Sequence, residues 1–366
     1  MSSDAHQGAS SPDWILQHIR DLYNANMPLY TKDAIQKVAE ALRFCEQSRS
    51  DRRKVVTVTL PGIDGRDHKM DVNLPRKRPT PSWAEFYLGS QLDAESELDS
   101  ESQLDPEEEL TDLSIYYRTA HSMTTDDHFS VEEAYLPMMI TPTSYLMLPS
   151  KNGRTAVQVY SAEQLRIVFH SVERRWKAGP HYAQVEATLA AIPSLPALNK
   201  VVGLALGPLL TGTTVEFRVI MQHVLLSALQ TILLRLGALT LWPLTWKSTW
   251  MTTATCGPYI QDPIYMEPEK EVLCAAGFTI LEDPQALLVL DDSSVLVTIN
   301  ASFPIKQIVA DTCRPGIIFW ERGDRDRTFS NSHSSRVDEM LEKEYYQWPF
   351  PPMDALRDLV MYVRKR

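Results

Sequence analysis

Short, unbroken apolar runs separated by helical stretches mark the chain between Asn199 and Glu321. They are Asn199-Lys-Val-Val-Gly-Leu-Ala-Leu-Gly207, Tyr259-Ile-Gln-Asp-Pro-Ile-Tyr265, Phe278-Thr-Ile-Leu-Glu282, Ser294-Val-Leu-Val-Thr-Ile-Asn300 and Gly316-Ile-Ile-Phe-Trp-Glu321. Parallel strands are covered on both faces by crossover helices, so they read as continuous apolar runs rather than as an alternation. The pattern predicts an α/β fold with a Rossmann-like, doubly wound, mostly parallel sheet. Its core lies at 195–325, inside a domain over 114–330. Such a sheet takes ligands outside the carboxyl ends of its strands, which directs attention to Gly207, Asp262, Asn300 and Glu321 at the run ends.

The flanks read differently. Ser11-Pro12 predicts a helix start, and Thr31 opens a second helix with Ile35, Val38, Ala39 and Leu42 on one face. Lys54 to Leu60 alternates as a strand, turns at Pro61-Gly-Ile-Asp-Gly65 and returns through Met70, Val72 and Leu74, a β-hairpin that completes an N-terminal unit over 1–90. Residues 91–113 are rich in Asp, Glu, Ser and Gln and poor in large apolar side chains, so they predict a disordered acidic linker. A second hairpin is expected from Ser144–Leu148 and Thr155–Val159 around Asn152-Gly153. Ser161-Ala-Glu-Gln164 has the form of a capping box, followed by a helix that Gly179-Pro180 stops. Over 331–366 the pattern predicts a charged helix from Ser334 to Tyr346, and a closing helix from Met353 to Val363 that docks Leu356, Leu359, Val360 and Val363 on the core.

Charge changes this picture only locally. The formal charge is −11, but ten of the acids fall between Asp93 and Asp112 with no Lys or Arg among them, which leaves about −1 for everything else. The folded part has no general electrostatic drive towards nucleic acid or an anionic membrane. Cys45, Cys256, Cys274 and Cys313 stand far apart, and no apolar leader opens the sequence, so the expected setting is the cytoplasm, the nucleus or both. Val224 to Trp242 is interrupted by Ser227, Gln230, Thr231 and Arg235, which fits a buried helix better than the roughly 20 apolar residues of a membrane span.

The turn Gly207-Pro-Leu-Leu-Thr-Gly-Thr-Thr214 places Gly207, Thr211, Gly212 and Thr213 ahead of a helix that Thr213 and Glu216 are suited to cap. Free N–H groups and hydroxyls at a helix start can hold a phosphate or carboxylate. No Lys-Ser/Thr ends the loop, which excludes a P-loop, and three spaced glycines are missing. Asp262 ends the second core run, either as a ribose-binding carboxylate for a dinucleotide or S-adenosylmethionine or as a turn residue before Pro263. Asn300 and Glu321 either face the same crevice or are polar because strand ends meet solvent. His223 has apolar neighbours and reads as a packed, hydrogen-bonded residue. Neither a nucleophile motif nor a metal-ligand spacing is present, so no catalytic or metal residue is assigned. Trp242, Trp246 and Trp250 form either core or a partner-binding patch.

Val201-Val-Gly-Leu-Ala-Leu-Gly-Pro-Leu209, Gln222, Gln261-Asp-Pro-Ile-Tyr265, Glu269-Lys-Glu-Val-Leu273, Gly277-Phe278 and Val295 to Asn300 together resemble the sensitivity-to-red-light-reduced (SRR-like) family. The fungal branch is the nearer, through Asp283-Pro284, Asp291-Asp-Ser293, Pro304-Ile-Lys-Gln-Ile-Val-Ala-Asp311 and Arg314-Pro315. The resemblance implies a Rossmann-like regulatory or scaffold protein without an established reaction, associated with signalling or circadian-type regulation and with unidentified protein partners. Two departures stand out: Ala205, Gly207 and Pro208 replace the family's Gly-x-Gly-Ser, and Asn300-Ala-Ser-Phe-Pro304 replaces the Pro-His-Cys of plant and animal members. The Trp-rich stretch over 238–258 is not family-like and reads as an insertion or a misjoined coding segment. The alternative function is an S-adenosylmethionine-dependent methyltransferase, suggested by the glycine turn and the acid ending the second run.

Overall fold

A computed structural model describes residues 13–50, 54–74, 110–125, 129–145, 160–211, 214–240, 257–322, 331, 334–356 and 359–365. Each predicted core run contains a strand: β5 (Lys200–Leu204), β8 (Tyr259–Gln261), β9 (Thr279–Ile280), β10 (Ser294–Val297) and β11 (Ile317–Glu321). All five run parallel, with β5 between β8 and β10. With β12 (Tyr345–Trp348) and β13 (Leu359–Arg364) they form a seven-stranded sheet in the order β12-β13-β11-β10-β5-β8-β9. The order reverses between β5 and β10, and that is the switch point at which doubly wound sheets open a crevice.

Crossover helices explain why these strands are apolar on both sides. α7 (Phe217–Arg235) and α8 (Glu267–Ala275) pack on one face with Val201, Val295, Val297, Ile317 and Phe319. The capped helix α5 (Ala162–Ala178) and α6 (Pro180–Ala190) thicken that layer, and Ser161 and Gln164 form the expected capping box. α9 (Gln285–Val289), α10 (Ile305–Thr312) and α11 (Ser335–Glu344) cover the other face, against Val202, Leu204, Leu296, Ile318 and Trp320. α7 is long and apolar enough to span a bilayer, yet most of it is buried inside the fold, as the sequence predicts for this stretch.

The second face continues into an N-terminal layer. It comprises α1 (Asp13–Asn24), α2 (Lys32–Ser50), the hairpin β1 (Val55–Pro61) and β2 (Asp67–Asn73), and a ribbon of β3 (Leu110–Tyr117) and β4 (Met138–Tyr145). Short helices α3 (Ala120–Thr125) and α4 (Val131–Ala134) join the ribbon strands. Thr31 opens α2 as expected, its hydroxyl accepting from the Ala34 N–H at 3.0 Å.

Three expectations are corrected. The closing helix is a short 3-10 turn (Asp354–Leu356) followed by β13, which pairs antiparallel with β11 and carries β12 on its far side. Leu359 to Val363 supports strand as readily as helix, and the unpaired edge of β11 decides between them. Residues 110–113 are not linker but the start of β3, facing 142–145 of β4. That strand also takes Ser144 and Tyr145 away from the predicted second hairpin. The rest of that hairpin, the linker up to 109, Ser11, Pro12 and the three tryptophans at 242, 246 and 250 lie outside the described residues.

Candidate functional site

The chain ends β5 in an unusual way. Ala205 has φ 52° and Gly207 has φ 85°, and just beyond the adjacent strand β10 Asn300 has φ 56°. Left-handed backbone is free for glycine and costs alanine about 1–2 kcal/mol. The bend at Ala205 is therefore imposed by what surrounds it, whereas Gly207 and Asn300 take the left-handed region readily.

On the β5 side the surroundings are carboxylates. Asp262 accepts the Gly207 N–H on Oδ2 at 2.8 Å and the Ile264 N–H on Oδ1 at 3.2 Å. Glu269, fully buried in the first turn of α8, accepts the Leu210 N–H at 2.9 Å and the Met266 N–H at 2.6 Å. Burial raises the pKa of both acids, and the backbone N–H groups they accept oppose that rise. Beneath them His223 accepts the Tyr265 hydroxyl on Nε2 at 2.8 Å, while its Nδ1 meets the Val219 carbonyl at 2.8 Å. Burial lowers the His223 pKa to about 4, which keeps the ring neutral near pH 7. This is the packed, hydrogen-bonded histidine the sequence predicts.

On the β10 side Glu321 collects three partners. Its Oε2 accepts the Asn300 N–H at 3.2 Å, and its Oε1 accepts from Asn331 Nδ2 and from the ammonium of Lys306, each at 3.2 Å. Lys306, only 1% exposed, has its pKa lowered by burial against the pull of Glu321.

A fourth acid closes the crest from the β8–β9 side. Asp283 accepts the Tyr117 hydroxyl and Gln261 Nε2 on Oδ1, both at 2.9 Å, together with the Ile115 N–H. Burial, aided by the nearby Asp262 charge, pushes its pKa up to about 6. Gln261 uses its other end to accept the Ala286 N–H at 2.7 Å. The Tyr117 ring lies 5.2 Å from that of Phe303, which follows β10.

The sequence-predicted residues thus form two pairs, Gly207 with Asp262 and Asn300 with Glu321, at the same edge of the sheet. Thr211 stands apart, exposed in a two-residue strand β6 (Leu210–Thr211) that pairs with β7 (Thr214–Val215). Gly212 and Thr213 lie outside the described residues. The ribbon β6–β7 separates the glycine turn from α7, and Glu216 sits at the α7 N-cap without a side-chain cap bond. Glu269, Asp283, Lys306 and Tyr117 were not among the expected site residues, although the first three lie in the stretches that carry the family resemblance. Two of these had a signal: Asp283 before a proline, and Glu269 three residues after the residue that starts a helix.

Neither a family model nor a curated protein sequence matches the chain. Among solved structures, phosphoethanolamine N-methyltransferase 1 of Haemonchus contortus, in complex with phosphoethanolamine and S-adenosylhomocysteine, is similar with a TM-score of 0.24 and 11% identity. The match covers 56% of this chain and 50% of that one, and a likeness of this size carries no argument about activity. The mixed α/β architecture and its doubly wound sheet rest on the strand order itself.

Proposed function

We propose that this is a non-catalytic regulatory or scaffold protein whose Rossmann-like crevice is closed by its own side chains and takes, at most, a small ligand without turnover. The single observation that supports it is the state of Asp262. A carboxylate at this strand end grips ribose hydroxyls in nucleotide-binding members of the fold, whereas here both of its oxygens accept backbone N–H groups of the protein. The resemblance to the SRR-like family points the same way, towards signalling or circadian-type regulation through protein partners in the cytoplasm or nucleus. The acidic stretch 93–112 supplies a surface for a basic partner in this reading. Titration calorimetry with S-adenosylmethionine and S-adenosylhomocysteine should give no heat at millimolar concentration. Micromolar binding, with methyl transfer that Asp262→Ala abolishes in a folded variant, overturns the proposal.

A second reading, an S-adenosylmethionine-dependent methyltransferase, draws on one specific feature. The glycine turn after the first parallel strand and the acid after the second meet at 2.8 Å on the carboxyl edge. Methyl transfer can proceed by positioning alone, so the same calorimetry separates the two.

A further inference from the structure

The second core strand is approached twice by the chain. Leaving α7, the backbone returns along the amino edge of the sheet, where Leu198, just ahead of β5, donates to the Ala238 carbonyl at 3.1 Å and accepts the Thr240 N–H at 2.9 Å. These two bonds make a parallel bridge between Leu198 and Leu239. The next residue, Asn199, donates the opposite way, to the Ser293 carbonyl at 2.9 Å ahead of β10. Successive backbone groups of an extended chain point to opposite sides, so Leu239 stands on the β8 side of β5. β8 itself then pairs on that same side, with Tyr259 opposite Val202. Along β5 the two pairings are four residues apart (202 − 198), whereas along the partner they are twenty apart (259 − 239). The partner therefore carries about sixteen residues more than a strand of constant rise needs to cover the distance. Residues 241–256 are sixteen in number. Both ends of the surplus are held in the fold: Leu239 is buried, and Gly257 lies so close to the approach to β9 that a Cβ there would stand 1.5 Å from the Gly277 carbonyl oxygen.

We propose that 239–240 and 257–261 are one parallel strand interrupted by an insertion, and that the sheet and its crest are complete without residues 241–256. The packing on either side of the interruption supports this. Leu198, Leu239, Ile260 and Phe278 are buried in a single cluster with the side chains of α7 and α8. Trp242, Trp246 and Trp250 are then not needed to fill the core, and of their two readings the partner-binding one remains. The insertion begins and ends at the amino edge, whereas Gly207, Asp262, Asn300 and Glu321 stand at the carboxyl edge. Contacts made through it leave the crest untouched.

Two altered chains test this against the full-length protein: one lacks 241–256, with Thr240 joined to Gly257, and the other carries Gly and Ser at the same sixteen positions. Both should unfold at the urea midpoint of the unmodified protein or above it, the shortened chain at the higher one because a shorter connection costs less entropy to close. The ladder amides of β5 and β8 should keep their exchange protection within about threefold in both. Gly257→Ala in the full-length protein should instead lower the midpoint, since it crowds the point where the strand resumes. A shortened chain that fails to fold while the Gly and Ser chain folds overturns the single strand. Loss of midpoint or of protection in both chains shows that the sheet depends on the residues replaced, and overturns the insertion. A neutral Gly257→Ala overturns the assignment of where the strand resumes.

Discussion

The two sides of the crest are clamped by different chemistry. After β5, Asp262 and Glu269 hold the turn through backbone N–H groups, and these are what oppose the rise in pKa that burial causes. After β10, Glu321 holds the bend through Asn300 and Asn331 but is balanced by the buried ammonium of Lys306. A carboxylate satisfied by dipoles can be switched by a proton, whereas one satisfied by an ammonium is fixed until its partner is removed. The β5 and β9 side is therefore the adjustable one, and the β10 side is the fixed frame.

The largest effect should come from breaking the fixed side. Glu321→Ala leaves Lys306 buried without its counter-charge, and the loss is about 3 kcal/mol, the low end for a broken buried pair because Glu321 keeps some solvent contact. A urea denaturation midpoint reads it, and pairing Glu321→Gln with Lys306→Met should recover most of the loss. Next comes the acid that locks the adjustable side. Asp283 has a raised pKa in the fold, so its contribution is whole below the ordinary carboxylate range and is lost as pH climbs to about 6. Allowing for the residual solvent contact of a half-buried residue, that loss is about 2 kcal/mol. Stability-against-pH curves of Asp283→Asn and the unmodified protein should differ by this slope, and parallel curves would contradict the assignment.

Glu269→Ala should cost a similar or slightly smaller amount, about 2 kcal/mol, because two buried N–H groups lose their acceptor. If the loss is below that of a typical surface substitution, the turn after β5 does not depend on the carboxylate. The smallest effect has the opposite sign. Ala205→Gly relieves a left-handed alanine and should stabilise by about 0.5–1 kcal/mol after the added freedom of the unfolded chain is counted. Thermal unfolding reads this directly, and a lower melting temperature would mean the methyl packs more usefully than the strain costs.

Much of the central sheet was legible because burial on both faces leaves a mark in sequence: the runs that hold β5, β8, β9, β10 and β11 are short and mainly apolar. β13 was not, since Leu359-Val-Met-Tyr-Val suits either strand or helix and only the open edge of β11 chooses. The site was legible in part. Gly207, Asp262, Asn300 and Glu321 are strand-end residues, and strand order alone brings them to one edge. Their partners are distant in sequence, as Tyr117 is from Asp283, and nothing local reports such a meeting. Asp262 reads equally as a turn residue or a ligand-binding acid, because the Gly207 N–H that it accepts is brought to it only by the fold.

The placement of β13 between β11 and β12 bears on how the protein is made. β12 pairs with no other described strand, although it leaves the ribosome first. Until Leu359 to Arg364 have been synthesised, Ile317-Ile-Phe-Trp-Glu321 presents an unpaired apolar margin to every nascent chain nearby. Anything that keeps β13 from pairing with β11 prolongs that exposure.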